Sequence, residues 1–423
     1  MKLIAYLFSL LILAAPAVAS DWSQFGYDSS HSGFTTDSVV PPLVLKWTAN
    51  LYYNTDSSPV VVNGVVYVGS NGGVHALDAE SGKEIWRSPT DGFIGAVPMV
   101  MDGTLYVGGN DEHFYAIDIK DGSKKWIYKD ATGGFVSSAT AADNLIYVAS
   151  EDGSLYVFNP QVGEPSWTKL TGKSIDSSPA VSNNTVYFGN DNGAFFALDA
   201  GNGREMWHYY TDIGMIKSSP AAANGILFFG SNNGNVYALT DKGALKWKFS
   251  TGSDVVSSPS VKDGTVFVGS KDFNFYAIDS ATGNMKWKFQ TAGFVDASSA
   301  ISNDVIYFGS KNNFIYALDT NTGNLLWKNL TGMDTTDYIT SPAISGNMLY
   351  AVTHSGKVYA YSIAGEVQTT PAITQTIKAT TISPTPTPVQ TPAVTTPQKT
   401  PGFEYAALIL LIAAIVRKRI NSK

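Results

Sequence analysis

The sequence predicts an all-β fold, an eight-bladed β-propeller of four-stranded antiparallel blades whose last blade is completed by the N-terminal strand. The first observation behind this prediction is a repeat of about 40 residues in a chain of 423 residues. Self-similarity at such a period is typical of propellers and other tandem arrays. The repeat is marked by Trp47, Trp86, Trp126, Trp167, Trp207, Trp247, Trp287 and Trp327.

The second observation is the alternation of apolar runs and turn residues inside each unit. In the first complete unit, Asn63-Gly64, Asn71-Gly72-Gly73 and Ser81-Gly82 separate runs of β-branched and aromatic residues. Asn-Gly between two such runs favours a tight hairpin, because both central positions of the turn need positive φ. The pattern therefore predicts four antiparallel strands in each unit. The two apolar faces of such a sheet are buried when neighbouring units stack around a ring.

The third observation is that the two ends of the repeat are incomplete and complementary. An eighth unit begins at Ser341-Pro342 and stops near Tyr361, before any tryptophan strand. At the other end, residues 43–51 carry Trp47 but no preceding strands of their own. We therefore expect the propeller to span residues 43–362, with its first strand pairing into the last blade. Residues 20–42 are expected to pack over the ring before that strand.

Composition excludes several classes of function. The formal net charge is -7 and the lysines are scattered singly, so the chain lacks the basic stripe of a nucleic-acid-binding protein. Cysteine is absent, which excludes disulfides, thiol catalysis and cysteine-ligated metal. Stability must therefore come from packing.

Residues 1–19 have the charged start, apolar centre and small-residue exit of a signal peptide. A retained membrane anchor is the alternative, although the apolar stretch is shorter than the roughly 20 residues of a spanning helix. We expect the protein to be secreted. In an exported protein, the sequons at Asn183 and Asn329 are candidate glycosylation sites.

The composition changes after the propeller. Residues 363–400 are rich in threonine and proline, which favours a disordered, extended stalk that can carry O-linked sugar. Residues 401–423 contain Pro401-Gly402-Phe403, an apolar run and a basic tail. This end resembles the Pro-Gly-Phe sorting signal of archaeal surface proteins, which a membrane sortase removes while attaching a lipid. The resemblance implies an archaeal protein anchored at the outer face of the cell membrane, in the S-layer region. An ordinary C-terminal tail anchor gives the same location.

Residues 43–361 resemble the repeats of the pyrroloquinoline-quinone enzyme family and its relatives. The family's tryptophan-docking signature, A-x-D-x-x-T-G-x-x-x-W, is present as Ala277, Asp279, Thr282, Gly283 and Trp287. The residues of this signature have a structural role, because aspartate and glycine shape a tight turn and tryptophan fills the space between blades. The copies before Trp167 and Trp247 depart from the signature. We expect weaker contacts between blades at those two copies.

Quinoprotein dehydrogenases of this family bind the quinone and calcium at the ring axis, often above a disulfide between adjacent cysteines. This chain lacks cysteine, and its nearly invariant tryptophan spacing leaves no long insertions to build a pocket. We expect neither cofactor, no catalytic residue and no metal site. The histidines occupy unrelated positions of the repeat without ligand spacing, and His75 replaces a strand tyrosine, which favours packing. They are His31, His75, His113, His208 and His354.

The predicted binding site is the position before each Ser-Ser-Pro motif, which should open at the mouth of the axis. Four charged residues in this series could hold a cation or a polar ligand, although solvated loop charges are the simpler interpretation. They are Asp56, Asp176, Lys217 and Asp296. The remaining positions are Gly95, Val136, Val256 and Ile339.

Together these features predict a monomeric, non-enzymatic scaffold that binds a protein or glycan at the cell surface and reaches the membrane through its C-terminal signal or a lipid. A quinone-dependent oxidoreductase is the alternative class. A third interpretation follows from similarity to the propeller lipoprotein of bacterial outer-membrane assembly, a BamB-like assembly scaffold. Fold alone does not choose among them.

Overall fold

The computed structural model describes residues 20–332 and 337–365, and it confirms the all-β, eight-bladed propeller. The predicted signal peptide, the sorting signal and nearly all of the predicted stalk lie outside these residues. The last strand ends at Ile363, one residue into the segment assigned to the stalk. The described part of the chain contains no helix that is long and apolar enough to span a membrane.

Seven blades are formed by four consecutive strands each, ordered from the axis outward. Blades 1 to 3 contain β3 (Val60–Val62), β4 (Val65–Ser70), β5 (Gly73–Asp78), β6 (Glu84–Ser88); β7 (Met99–Met101), β8 (Thr104–Gly108), β9 (Phe114–Asp118), β10 (Lys124–Tyr128); and β11 (Thr140–Ala142), β12 (Leu145–Ala149), β13 (Ser154–Phe158), β14 (Pro165–Leu170). Blades 4 and 5 contain β15 (Ala180–Ser182), β16 (Thr185–Gly189), β17 (Ala194–Asp199), β18 (Glu205–Tyr210); and β19 (Ala221–Ala223), β20 (Ile226–Gly230), β21 (Asn235–Thr240), β22 (Leu245–Ser250). Blades 6 and 7 contain β23 (Ser260–Lys262), β24 (Thr265–Gly269), β25 (Asn274–Asp279), β26 (Met285–Gln290); and β27 (Ala300–Ser302), β28 (Val305–Gly309), β29 (Phe314–Asp319), β30 (Leu325–Leu330).

The eighth blade joins the two ends of the chain. It contains β31 (Ala343–Ser345), β32 (Met348–Val352) and β33 (Lys357–Ile363), and its outermost strand is β2 (Leu43–Asn50). β2 pairs antiparallel with β33, from Leu43 opposite Ile363 to Asn50 opposite Lys357. The innermost strands β3 and β31 are also in contact. The N-terminal strand therefore closes the ring, as predicted.

Burial follows the position of a strand within its blade. Second strands such as β8 and β16 are buried along their whole length, because a neighbouring blade packs on each face. Outer strands such as β14 and β18 instead alternate between exposed and half-buried residues. The first turn of blade 1 has φ values of 51° at Asn63 and 73° at Gly64, as the Asn-Gly motif predicts.

In seven blades the tryptophan docks on the signature turn of the following blade, against its glycine. Trp247 Nε1 donates a hydrogen bond to the Ser280 carbonyl at 3.0 Å, and a Cβ on Gly283 would lie only 2.8 Å from the Trp247 ring. Glycine is therefore required where the indole rests on the turn. Equivalent indole bonds join Trp47 to Ala79, Trp86 to Ile119, Trp126 to Pro160, Trp207 to Asp241 and Trp287 to Thr320.

The expectation of weaker contacts at the two departing copies is wrong for these indole bonds. The turns of these two copies accept the indole hydrogen bonds at ordinary donor–acceptor distances, 3.1 Å to the Pro160 carbonyl and 3.0 Å to the Asp241 carbonyl. Trp167 Nε1 is buried and has no hydrogen-bond partner among the described residues. The Ala200 carbonyl in the next turn instead accepts a hydrogen bond from Tyr147 Oη at 3.1 Å. At this turn the tyrosine bonds to the carbonyl without the indole, whereas the Ala79 and Pro160 carbonyls each accept from both a tyrosine and an indole.

The N-terminal segment, residues 20–42, covers one end of the axis. Every innermost strand has a free edge toward the axis, and unpaired backbone amides there need an acceptor. The segment supplies one acceptor to each of seven inner strands and to the turn after the eighth. It also forms β1 (Phe34–Thr35), which pairs parallel with β27. The amides that donate to it are those of Val61, Val100, Ala141, Val181, Ala222, Val261, Ile301 and Gly346.

Candidate functional site

The opposite end of the axis forms the candidate site, and we call it the mouth face. It consists of the loops that join the last strand of one blade to the first strand of the next, and of the turns between second and third strands. Asp56, Asp176, Lys217 and Asp296 all lie in those loops. Ile339, by contrast, is only 3% exposed and packs against Gly309. One residue separates Ile339 from Ser341, where two separate Val295 from Ser298, so Ile339 takes the buried place of Val295 and Tyr338 lies at the mouth.

Two of the predicted residues line a cleft between blades 7, 8 and 1, which we call the eighth-blade cleft. Its volume is ≈ 250 Å³. Asp56 and Asp296 contribute carboxylates, Lys311 an ammonium group and Tyr338 a phenol ring. The hydroxyls of Ser58, Thr340 and Ser341 also belong to the lining. Sequence reasoning missed Tyr338 and Lys311, because neither falls at the position before Ser-Ser-Pro.

Asp56 is held at the edge of this cleft by aromatic groups from blade 8. The Tyr338 hydroxyl donates a hydrogen bond to Asp56 Oδ1, and His354 Nδ1 lies 2.8 Å from the same oxygen. The two rings stack, with centroids 4.7 Å apart and planes at 13°. Burial and the hydrogen bond to Asp56 raise the pKa of Tyr338 well above its ordinary value. Tyr338 therefore remains a neutral hydrogen-bond donor.

Asp296 has one satisfied and one unsatisfied carboxylate oxygen. Lys311 Nζ lies 3.2 Å from Asp296 Oδ2 and 4.6 Å from the centroid of the Tyr338 ring, in a cation–π position. Asp296 Oδ1 is buried and has no hydrogen-bond partner within the described ranges. Such atoms are uncommon in folded proteins, because the lost hydration is not replaced.

The other two predicted residues form a separate group, the fourth-blade cluster. Lys217 Nζ lies 2.7 Å from Asp176 Oδ2, and this hydrogen bond raises the pKa of Lys217. Glu151 and Asp191 are close enough for the charge of Asp176 to affect them. Burial first, and then this charge, raise the pKa values of both Glu151 and Asp191. Lys217 is thus the cation of a predominantly acidic group.

A ring of hydroxyls lies beneath the mouth residues. In seven blades the second residue of the Ser-Ser-Pro position is a serine, whose Oγ accepts the backbone N–H from the equivalent position of the preceding blade. These bonds measure 2.9 to 3.1 Å, and Val97 takes the eighth position. The repeated motif therefore links blades around the axis. The serines are Ser58, Ser138, Ser178, Ser219, Ser258, Ser298 and Ser341.

A group that sequence reasoning missed lies on the mouth face of blade 2. The ligand atoms of Asp91, Asp111 and His113 all lie within 4.8 Å of one another. An imidazole and two carboxylates are a donor set that divalent cations use. Asp111 Oδ2 also accepts a hydrogen bond from Tyr115 Oη at 2.5 Å. Asp91 comes from a different loop, so no spacing in the sequence could have indicated the group.

His75 belongs to an arrangement with the distances of a nucleophile, a base and an orienting carboxylate. Its Nε2 lies 2.9 Å from Ser70 Oγ, and its Nδ1 lies 2.8 Å from Glu84 Oε2. Ser70 is 0% exposed, however, so a substrate carbonyl has no access to its hydroxyl. The register places His75 opposite Val68, where the equivalent residue opposite Val268 is Tyr276. We interpret the group as a buried polar network that replaces this tyrosine.

The two candidate glycosylation sites differ in accessibility. Asn183 is exposed at the first turn of blade 4, where its φ is 50°. Asn329 is half-buried within the outer strand β30, and the hydroxyl of the following sequon threonine, Thr331, donates to the Asn313 carbonyl at 3.1 Å. Asn183 is the more accessible acceptor, and use of either site stays a prediction.

Comparison with known families identifies the repeat. Residues 44–140, 130–219 and 212–390 match the family model described as outer membrane protein assembly factor BamB. The chain belongs to this family. Among curated relatives, BamB of Moranella endobia is 29% identical over 172 residues, which cover 37% of this chain and 44% of the relative. Quinohemoprotein alcohol dehydrogenase ADH-IIG of Pseudomonas putida is 27% identical over 148 residues, which cover 30% of this chain and 21% of the relative.

The matched segments span less than half the length of these curated relatives. Solved structures agree in fold over a longer range. BamB from Moraxella catarrhalis matches with a TM-score of 0.66 at 16% identity, covering 77% of this chain and 99% of that structure. Quinohemoprotein alcohol dehydrogenase from Comamonas testosteroni matches with a TM-score of 0.71 at 15% identity, covering 82% and 81%. The chain is thus similar both to an assembly factor and to alcohol dehydrogenases, and all of them share the propeller fold.

Proposed function

We propose that this protein is a non-enzymatic scaffold that binds a protein partner through its mouth face. The observation that carries the proposal is the difference between the two ends of the ring. The N-terminal segment covers one end with hydrogen bonds to the inner strands, whereas the mouth face exposes large apolar side chains on its loops. Exposed apolar groups rimmed by polar residues are typical of protein-binding surfaces.

The apolar groups of the mouth face come from several blades. Tyr52 is 85% exposed and Ile213 is 84% exposed, and Met215 follows in the same loop as Ile213. Phe273 and Phe294 stack with centroids 5.2 Å apart and are also exposed. These side chains lie at loop tips that the propeller core holds in place, where recognition residues are commonly found. They favour a protein over a glycan as the partner.

The location of the protein is a second part of this proposal. Residues 1–19 would direct export, and residues 401–423 would attach the chain to the outer face of the membrane, directly or through a lipid. The threonine- and proline-rich residues between them and the ring would hold the propeller away from the membrane. Support comes from the order of these three segments in the sequence.

Quinone-dependent oxidation is the second candidate, because relatives in the family include dehydrogenases. The mouth residues do not fit that cofactor. Pyrroloquinoline quinone is a polycarboxylate, and the mouth presents Asp56, Asp176 and Asp296 with lysines that are already paired. Lys217 lies 2.7 Å from Asp176, and Lys311 lies 3.2 Å from Asp296. Lys217 also occupies the cationic position that calcium would need beside Asp176.

The absence of cysteine permits a direct test of protein binding. In a variant of the full chain with Ile213→Cys, a benzophenone maleimide can be attached at one position only. We expect illumination of producing cells to give a discrete crosslinked band, identified by mass spectrometry. The matched control is Ile85→Cys, because Ile85 is 51% exposed but lies on the outer strand β6. Equal crosslinking from both positions would contradict a specific mouth-face partner.

The enzymatic alternative has its own test. We expect that incubation of the purified protein with pyrroloquinoline quinone and calcium gives no retained chromophore and no dye-linked alcohol oxidation. The control is a known quinoprotein carried through the same reconstitution. Stoichiometric retention of the quinone together with turnover would refute the non-enzymatic proposal.

A further inference from the structure

We propose that the eighth-blade cleft receives one lysine or arginine side chain of the protein partner. This inference rests on the proposed function and specifies the chemistry by which the partner is anchored. The charge of the cleft is the first support. Asp56 and Asp296 face a single cation, Lys311, so these three side chains carry a formal charge of -1. A basic side chain neutralises it.

The second support is the buried carboxylate oxygen of Asp296. Lys311 satisfies Oδ2, but Oδ1 has no hydrogen-bond partner among residues 20–332 and 337–365. This oxygen is itself buried, but Asp296 lines the cleft, so a basic side chain placed there can supply the missing donor once the carboxylate rotates toward it. Cationic N–H groups bind carboxylates more strongly than neutral donors do.

The third support is the size and lining of the cleft. Its ≈ 250 Å³ is below the roughly 300–1,000 Å³ of pockets that hold drug-sized ligands. One long basic side chain fits this space. Ser58 and Ser341 line the cleft, and each Oγ accepts one backbone N–H and retains a second lone pair for a further donor. In the fourth-blade cluster, Lys217 already fills the equivalent role beside Asp176.

The apolar loops and the cleft then act together. The exposed apolar side chains supply contact area, and the cleft fixes the orientation of the partner through one charged side chain. Arginine and aromatic residues in desolvated pockets are common binding hot spots, surrounded by contacts of lesser energy. Tyr338 contributes to this environment, because its ring carries Lys311 on one side and stacks on His354.

The first test uses the Ile213→Cys crosslinking assay with the full chain. Asp296→Asn removes the charge without changing the size of the side chain, and we expect the crosslinked band to fall at least tenfold. The control is Asp254→Asn, because Asp254 lies in an equivalent loop of the mouth face and pairs with Lys271 at 3.5 Å. We expect this variant to keep the band. An unchanged band in Asp296→Asn overturns the anchor while leaving the proposed function in place.

The second test measures recognition of the basic group alone. N-acetyl-lysine amide and N-acetyl-arginine amide are titrated into the full chain by ligand-observed NMR, with N-acetyl-norleucine amide as the neutral control. We expect at least one basic amide to bind tenfold more tightly than the neutral one. Asp296→Asn should abolish this difference, and Lys311→Gln should increase it because the competing cation is removed.

The outcomes separate the two proposals. Equal binding of the neutral and basic amides overturns the anchor, as does a free diamine such as putrescine binding more tightly than either amide. Selective binding of the basic amides without any crosslink in cells overturns the proposed partner and leaves recognition of the basic group by the cleft in place. Thermal melts of each variant check that the fold is intact.

Discussion

His31 shows how a single buried residue couples the N-terminal segment to the ring. Its Nδ1 lies 2.9 Å from the Pro220 carbonyl, and its Nε2 lies 3.1 Å from Thr140 Oγ1. One tautomer of the neutral ring satisfies both contacts, donating from Nδ1 and accepting at Nε2. Burial lowers the pKa of His31 from 6.5 to about 4. The fold therefore requires the neutral form.

This pKa shift predicts a loss of stability in acid. Because the folded pKa lies below the unfolded value, the contribution is complete above pH 6.5 and is lost as the pH falls toward 4. We expect the free energy of unfolding to fall by about 2–3 kcal/mol more in the wild type than in His31→Asn between pH 7 and pH 4.5. Asparagine tolerates the positive φ of 55° at this position. Urea titrations at both pH values measure the difference, and parallel pH dependences would contradict it.

The indole hydrogen bonds predict a difference between two chemically identical substitutions. Trp247 Nε1 donates to the Ser280 carbonyl, whereas Trp167 Nε1 has no partner in the described structure. Trp247→Phe loses this bond and leaves a carbonyl unpaired, so we expect it to cost about 1 kcal/mol more than Trp167→Phe. Denaturant unfolding of both variants checks this. For scale, Trp247→Ala should cost about 3–5 kcal/mol as a large-to-small change. Equal costs for the two phenylalanine variants would mean that the indole bond contributes nothing.

At the residue scale, the sequence was informative where one residue type serves one repeated purpose. The tryptophans and the signature glycines were predictable because every blade uses them at the same turn. Tyr338 and the group around His113 were not, because their partners come from other loops or blades. Ile339 was misplaced because its longer loop shifts the register by one position and gives it the buried place that Val295 has in the preceding loop. Such changes affect a site without altering the repeat.

At the element scale, the strands and hairpins were predictable, but the course of the N-terminal segment was not. Its contacts use mostly its own backbone carbonyls, which any residue carries, so no pattern of side chains indicates them. Gln24 is an exception, because its Oε1 accepts the amide of Ala141 at 2.9 Å. The segment thereby serves as a common acceptor for strands that are far apart in the sequence.

This arrangement predicts the effect of removing the segment. In a chain that begins at residue 38, the inner-strand amides of Val61, Val181 and Val261 lose their acceptors, so they should exchange with deuterium at least tenfold faster. Amides in the second strands, such as β16 and β24, pair within their own blades and serve as the internal control. Hydrogen exchange followed by mass spectrometry or NMR measures both sets. Unchanged protection of the inner strands would show that the segment is dispensable for them.

At the scale of the whole molecule, closure of the ring depends on one strand that is separated in the sequence from the rest of its blade. β2 lies opposite β33, and the Ala364 amide donates to the Pro42 carbonyl at 2.9 Å. The strand also carries Trp47, which docks on the turn of blade 1. The repeat predicted this pairing, because the last unit lacks its fourth strand and the N-terminal strand lacks the other three. Together they form one complete four-stranded blade. Closure is therefore a consequence of the repeat.

The position of β2 leads to a prediction about connectivity. Deleting residues 20–50 should open the ring and lower the free energy of unfolding by more than the roughly 3–5 kcal/mol of one large-to-small core substitution. A permuted chain that starts at residue 51 and places residues 43–50 after Gly365, through a short turn, should recover most of that loss. Leu43 and Ile363 are already opposite each other, so the turn needs only to join a hairpin. Both chains lack the N-terminal segment, so the comparison isolates closure. Urea unfolding followed by circular dichroism provides the measurement, and a permuted chain no more stable than the deletion would show that β2 contributes little to closing the ring.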